Sequence, residues 1–214
     1  MLYDTMTRIY DDPHLNGFAL LSLDFTKAFD LVDHNILLSK MVGHLPNGFL
    51  LWVKSYLTDM SFRVRIHGKL SGERLAQAGV PQGSVLGPVL FSILVGDLPS
   101  KRFGNTFVQY ADDVNIVIAL KTKDESEIIA KVSDQMSEIR NWCLNNKQAL
   151  NAAKSKIMVR SRSTTTTEID IPLTITNNLR ILGVLFNNEL TWKDHIDAAN
   201  KDSLSFVMNK KFKI

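Results

Sequence analysis

The sequence predicts an α+β fold, in which antiparallel strands pack against helices around one core. Two apolar runs, residues 107–110 and 114–118, are separated only by Ala111, Asp112 and Asp113, which is typical of a tight antiparallel hairpin. Apolar side chains recur at helical spacing between residues 124 and 150, which predicts a long amphipathic helix over this range. With 214 residues, 45% of them hydrophobic, the chain is long enough to bury such a core.

Apolar runs and turn residues define the elements before that hairpin. We expect a buried strand at residues 18–24. Residues Thr26–Asp30 then turn into a helical stretch that runs through Leu38, and a second helix is expected at residues 48–56. Apolar and polar side chains alternate strictly over residues 61–67, which predicts a half-buried strand with a basic outer face. We expect residues 74–78 to form its partner strand.

The remaining elements are assigned in the same way. Residues 79–84 have loop composition and precede an apolar helix at 85–94, in which Pro88 is tolerable only within the first turn. Further strands are expected at residues 157–159 and 181–185, and a Lys-rich helix from His195.

Composition excludes some classes of protein and leaves others open. The net charge of +3 and the pI of about 8.9 are compatible with nucleic-acid binding but too small to predict it. The single cysteine, Cys143, excludes an internal disulfide and a Cys-rich zinc site. No apolar run reaches the length of a membrane span, and the N-terminus lacks a signal-peptide pattern. We therefore interpret the protein as intracellular, with no membrane partner and with nuclear and cytoplasmic locations both open.

Three acidic residues lie at predicted strand ends. Asp112 and Asp113 occupy the hairpin tip, and Asp24 ends another buried strand. Adjacent carboxylates repel each other, and a hard divalent cation with oxygen ligands removes that cost. Three such carboxylates can hold a pair of Mg²⁺ ions, as nucleotidyl transfer requires. From the residues alone, an ordinary acidic turn and a helix N-cap at Asp24 remain equally open.

Five segments, in order, resemble the palm motifs of reverse transcriptases from non-LTR retrotransposons, the long interspersed element type. They are LDFTKAFDLVDH at 23–34, GVPQGSVLGP at 79–88, YADD at 110–113, LNAAKSK at 150–156 and, for the primer grip, LGVL at 182–185 with Leu190, Trp192 and His195-Ile196. Five ordered motifs are far more specific than one short match. The resemblance implies a right-hand polymerase palm, an antiparallel sheet packed on helices, that synthesises DNA on an RNA template.

The resemblance also implies a catalytic centre. Asp24 and Asp112 would be the main Mg²⁺ ligands, with Asp113 as the third catalytic carboxylate and the backbone carbonyl of Phe25 as a further metal contact. Two Mg²⁺ ions are implied, for which Mn²⁺ could substitute. The reaction would be transfer of a nucleotide from a dNTP to a primer 3′-hydroxyl.

A nucleotide pocket is implied next to that centre. Phe29 would be the steric gate, occupying the space that a ribose 2′-hydroxyl needs, although it could equally be a core aromatic. Gln82 and Gly83 would line the pocket of the nucleotide and template base. Lys154 would approach the triphosphate, and its alternative is a solvated surface lysine.

Contacts with the RNA template and DNA primer are expected at five residues. These are Arg63, Arg65, Tyr110, Leu182 and Gly183. Contacts of Arg63 and Arg65 with phosphates would be independent of sequence and sensitive to salt. A basic strand face can also be merely solvated, so that alternative stays open.

The resemblance divides the chain into four parts. Residues 1–38 would be the first part of the palm with a short non-matching lead, 39–78 a fingers-side insert, 79–194 the rest of the palm, and 195–214 the start of a truncated thumb. The family's upstream fingers, most of its thumb and its endonuclease are not recognised in this sequence. We therefore expect a reverse transcriptase core that is weak or inactive alone.

Three alternatives remain open. The first is an inactive truncated remnant that at most binds nucleic acid without catalysis. The second is a different palm polymerase, such as a group II intron maturase or a telomerase-like enzyme. The third is a purely structural α+β domain with coincidental aspartates, which five ordered motifs disfavour.

Overall fold

The computed structural model describes residues 1–99, 105–162 and 173–201, and these residues form a five-stranded sheet and six helical segments. The helices are α1 Leu2–Asp11, α2 His34–Met41, α3 Asn47–Leu57, α4 Leu86–Val95 and α5 Glu125–Asn145, and residues 193–201 are also helical. The strands are β1 Gly17–Leu23, β2 Ser61–Phe62, β3 Arg65–Ile66, β4 Lys69–Leu70, β5 Arg74–Leu75, β6 Thr106–Tyr110, β7 Asp113–Leu120, β8 Lys156–Ser161, β9 Thr174–Ile175, β10 Asn178–Ile181 and β11 Val184–Asn187. The mixed sheet with packed helices confirms the predicted α+β class.

The central strand β1 is buried on both faces. The sheet order is β6-β7-β1-β8-β9, with β1 antiparallel to both neighbours and β9 parallel to β8. Because side chains alternate along a strand, Ala19 and Leu21 belong to the larger core with α2–α5, whereas Phe18 and Leu20 belong to a smaller core with α1 and the β10–β11 hairpin. This double coverage explains the unbroken apolar run that predicted the strand.

Helix termini follow local capping chemistry. Asp33 caps α2, because its carboxylate accepts from the amides of Asn35 and Ile36. The turn from Thr26 therefore becomes helical only at His34. Helix α5 begins after its cap Asp124 and ends at Asn145, five residues short of the predicted end, because the chain turns at Lys147 with a positive φ of 53°.

The expectation of one half-buried strand at residues 61–67 is wrong. Two separate two-residue ladders form instead, β2 with β5 and β3 with β4. Between them, the amide of Val64 donates to the hydroxyl of Ser71. The apolar side chains of Phe62, Val64 and Ile66 are 52%, 50% and 64% exposed, because the described residues place no second layer over this projecting hairpin.

The expectation of one strand at residues 181–185 is also wrong. Ile181 pairs with Val184, so Leu182 and Gly183 form a two-residue turn between β10 and β11. Both turn residues have positive φ, 49° and 83°, as tight hairpins with right-handed strand twist require.

Two further findings concern helices. The sequence reading did not identify α1, whose Met6 is fully buried in the smaller core. The expected apolar helix is present as α4, with Pro88 in its first turn. Among the described residues, no helix is long and apolar enough to cross a membrane.

Candidate functional site

Two acidic residues lie at the same end of neighbouring strands. The antiparallel register of β1 and β7 pairs Leu23 with Val114, so Asp24, which follows Leu23, and Asp113, which precedes Val114, lie at the same edge of the sheet. Asp113 itself pairs with Tyr110 across β6 and β7, which leaves Ala111 and Asp112 as a two-residue turn. Sheet register therefore brings the three acids to one edge, although Asp113 lies on the strand and not in the turn.

The backbone around Asp24 is held by the segment that follows α5. The amide of Asp24 donates to the hydroxyl of Ser155 at 3.1 Å, and its carbonyl accepts from the amide of Asn151 at 2.8 Å. The amide of Thr26 donates to the carbonyl of Ala149 at 2.7 Å. Because Ser155 is fully buried, Asp24 is anchored from inside the protein.

Phe25 connects this edge to the larger core. Its side chain is buried, and its ring makes edge contacts with Phe91 and Trp142 at centroid distances of 6.3 and 6.2 Å. An isolated β-bridge joins Phe25 to Leu150. The residue beside the carboxylate is thus a core residue.

A cavity of about 610 Å³ opens in front of these strand ends. Its lining residues are Asp24, Phe25, Thr26, Lys27, Ala28, Phe29, Pro81, Gln82, Gly83, Pro88, Asp112, Asn151 and Lys154. Seven of the expected site residues are among them, from four of the five motif segments. Segments far apart in the sequence therefore line one cavity.

The acids influence each other electrostatically. Burial raises the pKa of Asp113, and the negative charges of Asp112 and Asp24 raise the pKa further. This mutual repulsion is what a bound cation would relieve. The described part of the chain holds no cluster of three or more His, Cys, Asp or Glu side chains arranged around one point. Two carboxylates on a cavity nevertheless fit Mg²⁺, which commonly takes one or two carboxylates and completes its shell with substrate phosphates and water.

Another part of the cavity wall is made by two loops that are hydrogen-bonded together. The ring of Phe29 lies 5.1 Å from that of Phe91 and also lines the cavity, so this residue is both a core aromatic and a cavity wall. The amide of Val80 donates to the carbonyl of Phe29 at 2.9 Å. The amide nitrogen Nε2 of Gln82 donates to Oδ1 of Asp30, also at 2.9 Å.

Four of the expected nucleic-acid contacts lie elsewhere. Arg63 and Arg65 are on the projecting hairpin, where Arg63 forms an ion pair with Glu73 at 2.8 Å. Leu182 and Gly183 form the turn after β10 and do not line the cavity. Tyr110 is exposed, directly before the acidic turn.

Sequence reasoning did not single out two residues that support the site. Asn151 lines the cavity and Ser155 accepts from the Asp24 amide. The available signal was a serine directly before the buried strand β8, too short a pattern to assign a role.

Comparisons with known proteins agree on one family. The chain matches the family described as reverse transcriptase (RNA-dependent DNA polymerase) over residues 9–186. A probable RNA-directed DNA polymerase from the Drosophila melanogaster transposon X-element is 32% identical over 184 residues, covering 82% of this chain and 20% of that protein. The RNA-directed DNA polymerase from the mobile element jockey of Drosophila funebris is 33% identical over 196 residues, covering 82% of this chain and 20% of that protein. The chain thus spans about a fifth of the length of these curated relatives.

Solved structures show the same fold at low identity. Apo telomerase from Candida tropicalis, truncated from its C-terminal domain, aligns with a TM-score of 0.62 and 17% identity, covering 89% of this chain and 39% of that one. Telomerase from Candida albicans in complex with a TWJ fragment of telomeric RNA aligns with a TM-score of 0.61, covering 88% and 34%. Since the family match spans most of the sequence, the chain belongs to the reverse transcriptase (RNA-dependent DNA polymerase) family.

Proposed function

We propose that this chain is the catalytic core of an RNA-directed DNA polymerase of a non-LTR retrotransposon. One observation carries the proposal: Asp24 and Asp112 line a single cavity, and both lie near enough to Asp113 for their charges to raise its pKa. The relatives from jockey and X-element, at 32–33% identity, favour the retrotransposon type over other palm polymerases.

The metal site would be built around the two carboxylates that line the cavity. Asp24 and Asp112 would hold two Mg²⁺ ions, with Asp113 and the carbonyl of Phe25 in support, and Mn²⁺ could take the same positions. When bound, the ions would supply charge neutralisation for the triphosphate and a lower pKa for the primer 3′-hydroxyl. The contribution of the chain is to hold Asp24 in place through Ser155 and Asn151 before substrate arrives.

The cavity wall would select and orient the nucleotide. Because Phe29 packs on Phe91, its ring cannot easily move away from the cavity. It would therefore exclude a ribose 2′-hydroxyl and favour deoxynucleotides. Gln82 and Gly83 would contact the nucleotide and template base. Lys154 is exposed on the cavity rim, where its ammonium would attract the triphosphate.

An RNA template and a DNA primer would complete the reaction. Tyr110 lies beside the acidic turn, where it would contact the primer end. Arg63 and Arg65 on the projecting hairpin, and Leu182 and Gly183 in the β10–β11 turn, would contact the strands outside the cavity. Fingers, thumb and endonuclease parts of the longer element protein would hold the duplex and supply the target site.

Primer extension on an RNA template with Mg²⁺ and dNTPs tests the proposal. We expect at most weak extension from this chain alone, and it should fall at least about 100-fold in Asp112→Ala, because the cavity then keeps only one carboxylate to hold the metal ions. Asp134→Ala, an exposed aspartate on α5, is the matched control and should leave extension unchanged. Salt-sensitive RNA binding without any extension would instead support the non-catalytic remnant.

A further inference from the structure

We propose that Asp30 is a positioning residue that sets the orientation of the Gln82 carboxamide and thereby the affinity of the cavity for an incoming nucleotide. This inference rests on the proposed function, because it assigns a ligand to the same cavity. It adds a residue that does not itself line that cavity.

The location of Asp30 separates it from direct contact with a ligand. Asp30 lines a neighbouring groove of about 770 Å³, together with Met60, Phe62 and Leu75. Gln82 lines both this groove and the carboxylate cavity. The side-chain contact that links Asp30 to the cavity is its hydrogen bond with Gln82, whose Nε2 lies 2.9 Å from Asp30 Oδ1.

The chemistry of the two groups fixes the orientation of the carboxamide. An ionised carboxylate can only accept hydrogen bonds, so only the NH₂ end of Gln82 can face Asp30. The carboxamide oxygen is then turned away from Asp30. Since Gln82 is an exposed side chain with several rotatable bonds, losing this hydrogen bond would let the amide flip and rotate.

The backbone that carries Asp30 is well placed to act as a rigid support. Its amide donates to the carbonyl of Lys27 at 2.9 Å. Gly79 packs against it so closely that a Cβ there would lie 2.9 Å from the carbonyl oxygen of Asp30. The loop carrying Gln82 is joined to the same segment, because the amide of Val80 donates to the carbonyl of Phe29. Both partners of the side-chain hydrogen bond are therefore held at their backbones.

A set of variants separates positioning from general structure. Asp30→Ala should weaken binding of a nucleotide and raise the KM for dNTP about threefold to tenfold, the range expected for one exposed hydrogen bond, while kcat stays within about twofold. Asp30→Asn should give an affinity between those of wild type and Asp30→Ala, because its Oδ1 can still accept from Gln82 but its Nδ2 can also donate to the flipped carboxamide. Adding Asp30→Ala to Gln82→Ala should have no further effect, since the two residues act as one unit. Asp134→Ala is again the control.

Two measurements on the full chain decide between the proposals. Equilibrium binding of a fluorescent dNTP analogue with Mg²⁺ and primer–template is measured alongside extension, and circular dichroism checks that each variant is folded. Binding without extension in the wild-type chain overturns the proposed polymerase function and leaves the Asp30 effect measurable as a change in Kd. Equal affinity of wild type and Asp30→Ala, additive effects in the double variant, or no binding by the wild-type chain each overturn the Asp30 inference.

Discussion

Replacing Gly79 with alanine tests whether the loop contacts that form the cavity wall are as tight as the structure shows. Gly79 has a φ of +92°, a conformation that alanine rarely adopts. A Cβ at this position would lie 2.9 Å from the carbonyl oxygen of Asp30 and 3.1 Å from that of Phe29. Both neighbours are backbone atoms, so relief requires the loop or the Phe29–Asp30 segment to move.

Two contributions set the size of the effect. Placing a residue with a Cβ in the left-handed region costs about 1–2 kcal/mol. Forcing extra atoms into a closely packed position costs about a further 1–3 kcal/mol. We therefore expect Gly79→Ala to lower the free energy of unfolding by about 2–5 kcal/mol.

Gly83 provides the matched control in the same loop. Its φ is +78°, but a Cβ there would meet no atom within 4 Å. Gly83→Ala should therefore show only the backbone contribution, about 1–2 kcal/mol. Urea unfolding of both variants, at equal m-values, measures the difference. Equal destabilisation by the two substitutions would refute the close approach of Gly79 to Asp30.

Two further predictions concern residues that hold helix α2 and the Asp24 backbone. Lys147→Ala should lower the free energy of unfolding by about 0.2–1 kcal/mol at pH 7, because it removes the ion pair with Asp33 at 2.7 Å. The hydrogen bond from Lys147 lowers the pKa of Asp33, so this stabilisation is present at neutral pH and is lost as the pH falls below about 4. In urea titrations, a gap in unfolding free energy between wild type and Lys147→Ala that grows with acidification would contradict this. Ser155→Ala should lower the free energy of unfolding by about 1–3 kcal/mol, because it leaves the amide of Asp24 without its acceptor. A change below about 0.5 kcal/mol in the same titration would argue against this anchor.

Strands with dense apolar runs, and a long helix, were predictable from the sequence. The run at residues 18–24 and the hairpin at 107–118 have dense apolar patterns, and the structure confirms both elements as β1 and β6–β7. In α5, Met136, Trp142 and Cys143 are buried, as their helical spacing predicts. These patterns succeed because burial on a fixed side of an element repeats with the period of that element.

The two wrong strands fail for opposite reasons. Alternation at residues 61–67 indicates that the segment has two faces, but it cannot show whether another layer covers the apolar one. In the β10–β11 hairpin, a leucine occupies a positive-φ turn position, where non-glycine residues are uncommon, so composition did not signal a turn before Gly183. Helix α1 was missed because its full burial is limited to Met6.

The candidate site was predictable in part. Asp24 and the acidic hairpin were identified as neighbours because strands that end near a common sheet edge can share a site, and the register places them there. The hydrogen bond between Gln82 and Asp30 depends on two loops meeting in space, 52 residues apart, and no local pattern encodes it. The division into palm, fingers-side and thumb segments, and the individual substrate contacts, stay predictions.

The buried ring of Phe25, between Asp24 and the aromatic residues Phe91 and Trp142, affects how this domain can evolve. Substitutions that loosen the core beneath it would displace the neighbouring carboxylate, even when every acidic residue is retained. Retention of the three aspartates alone therefore does not ensure that Asp24 keeps its place at the edge of the cavity.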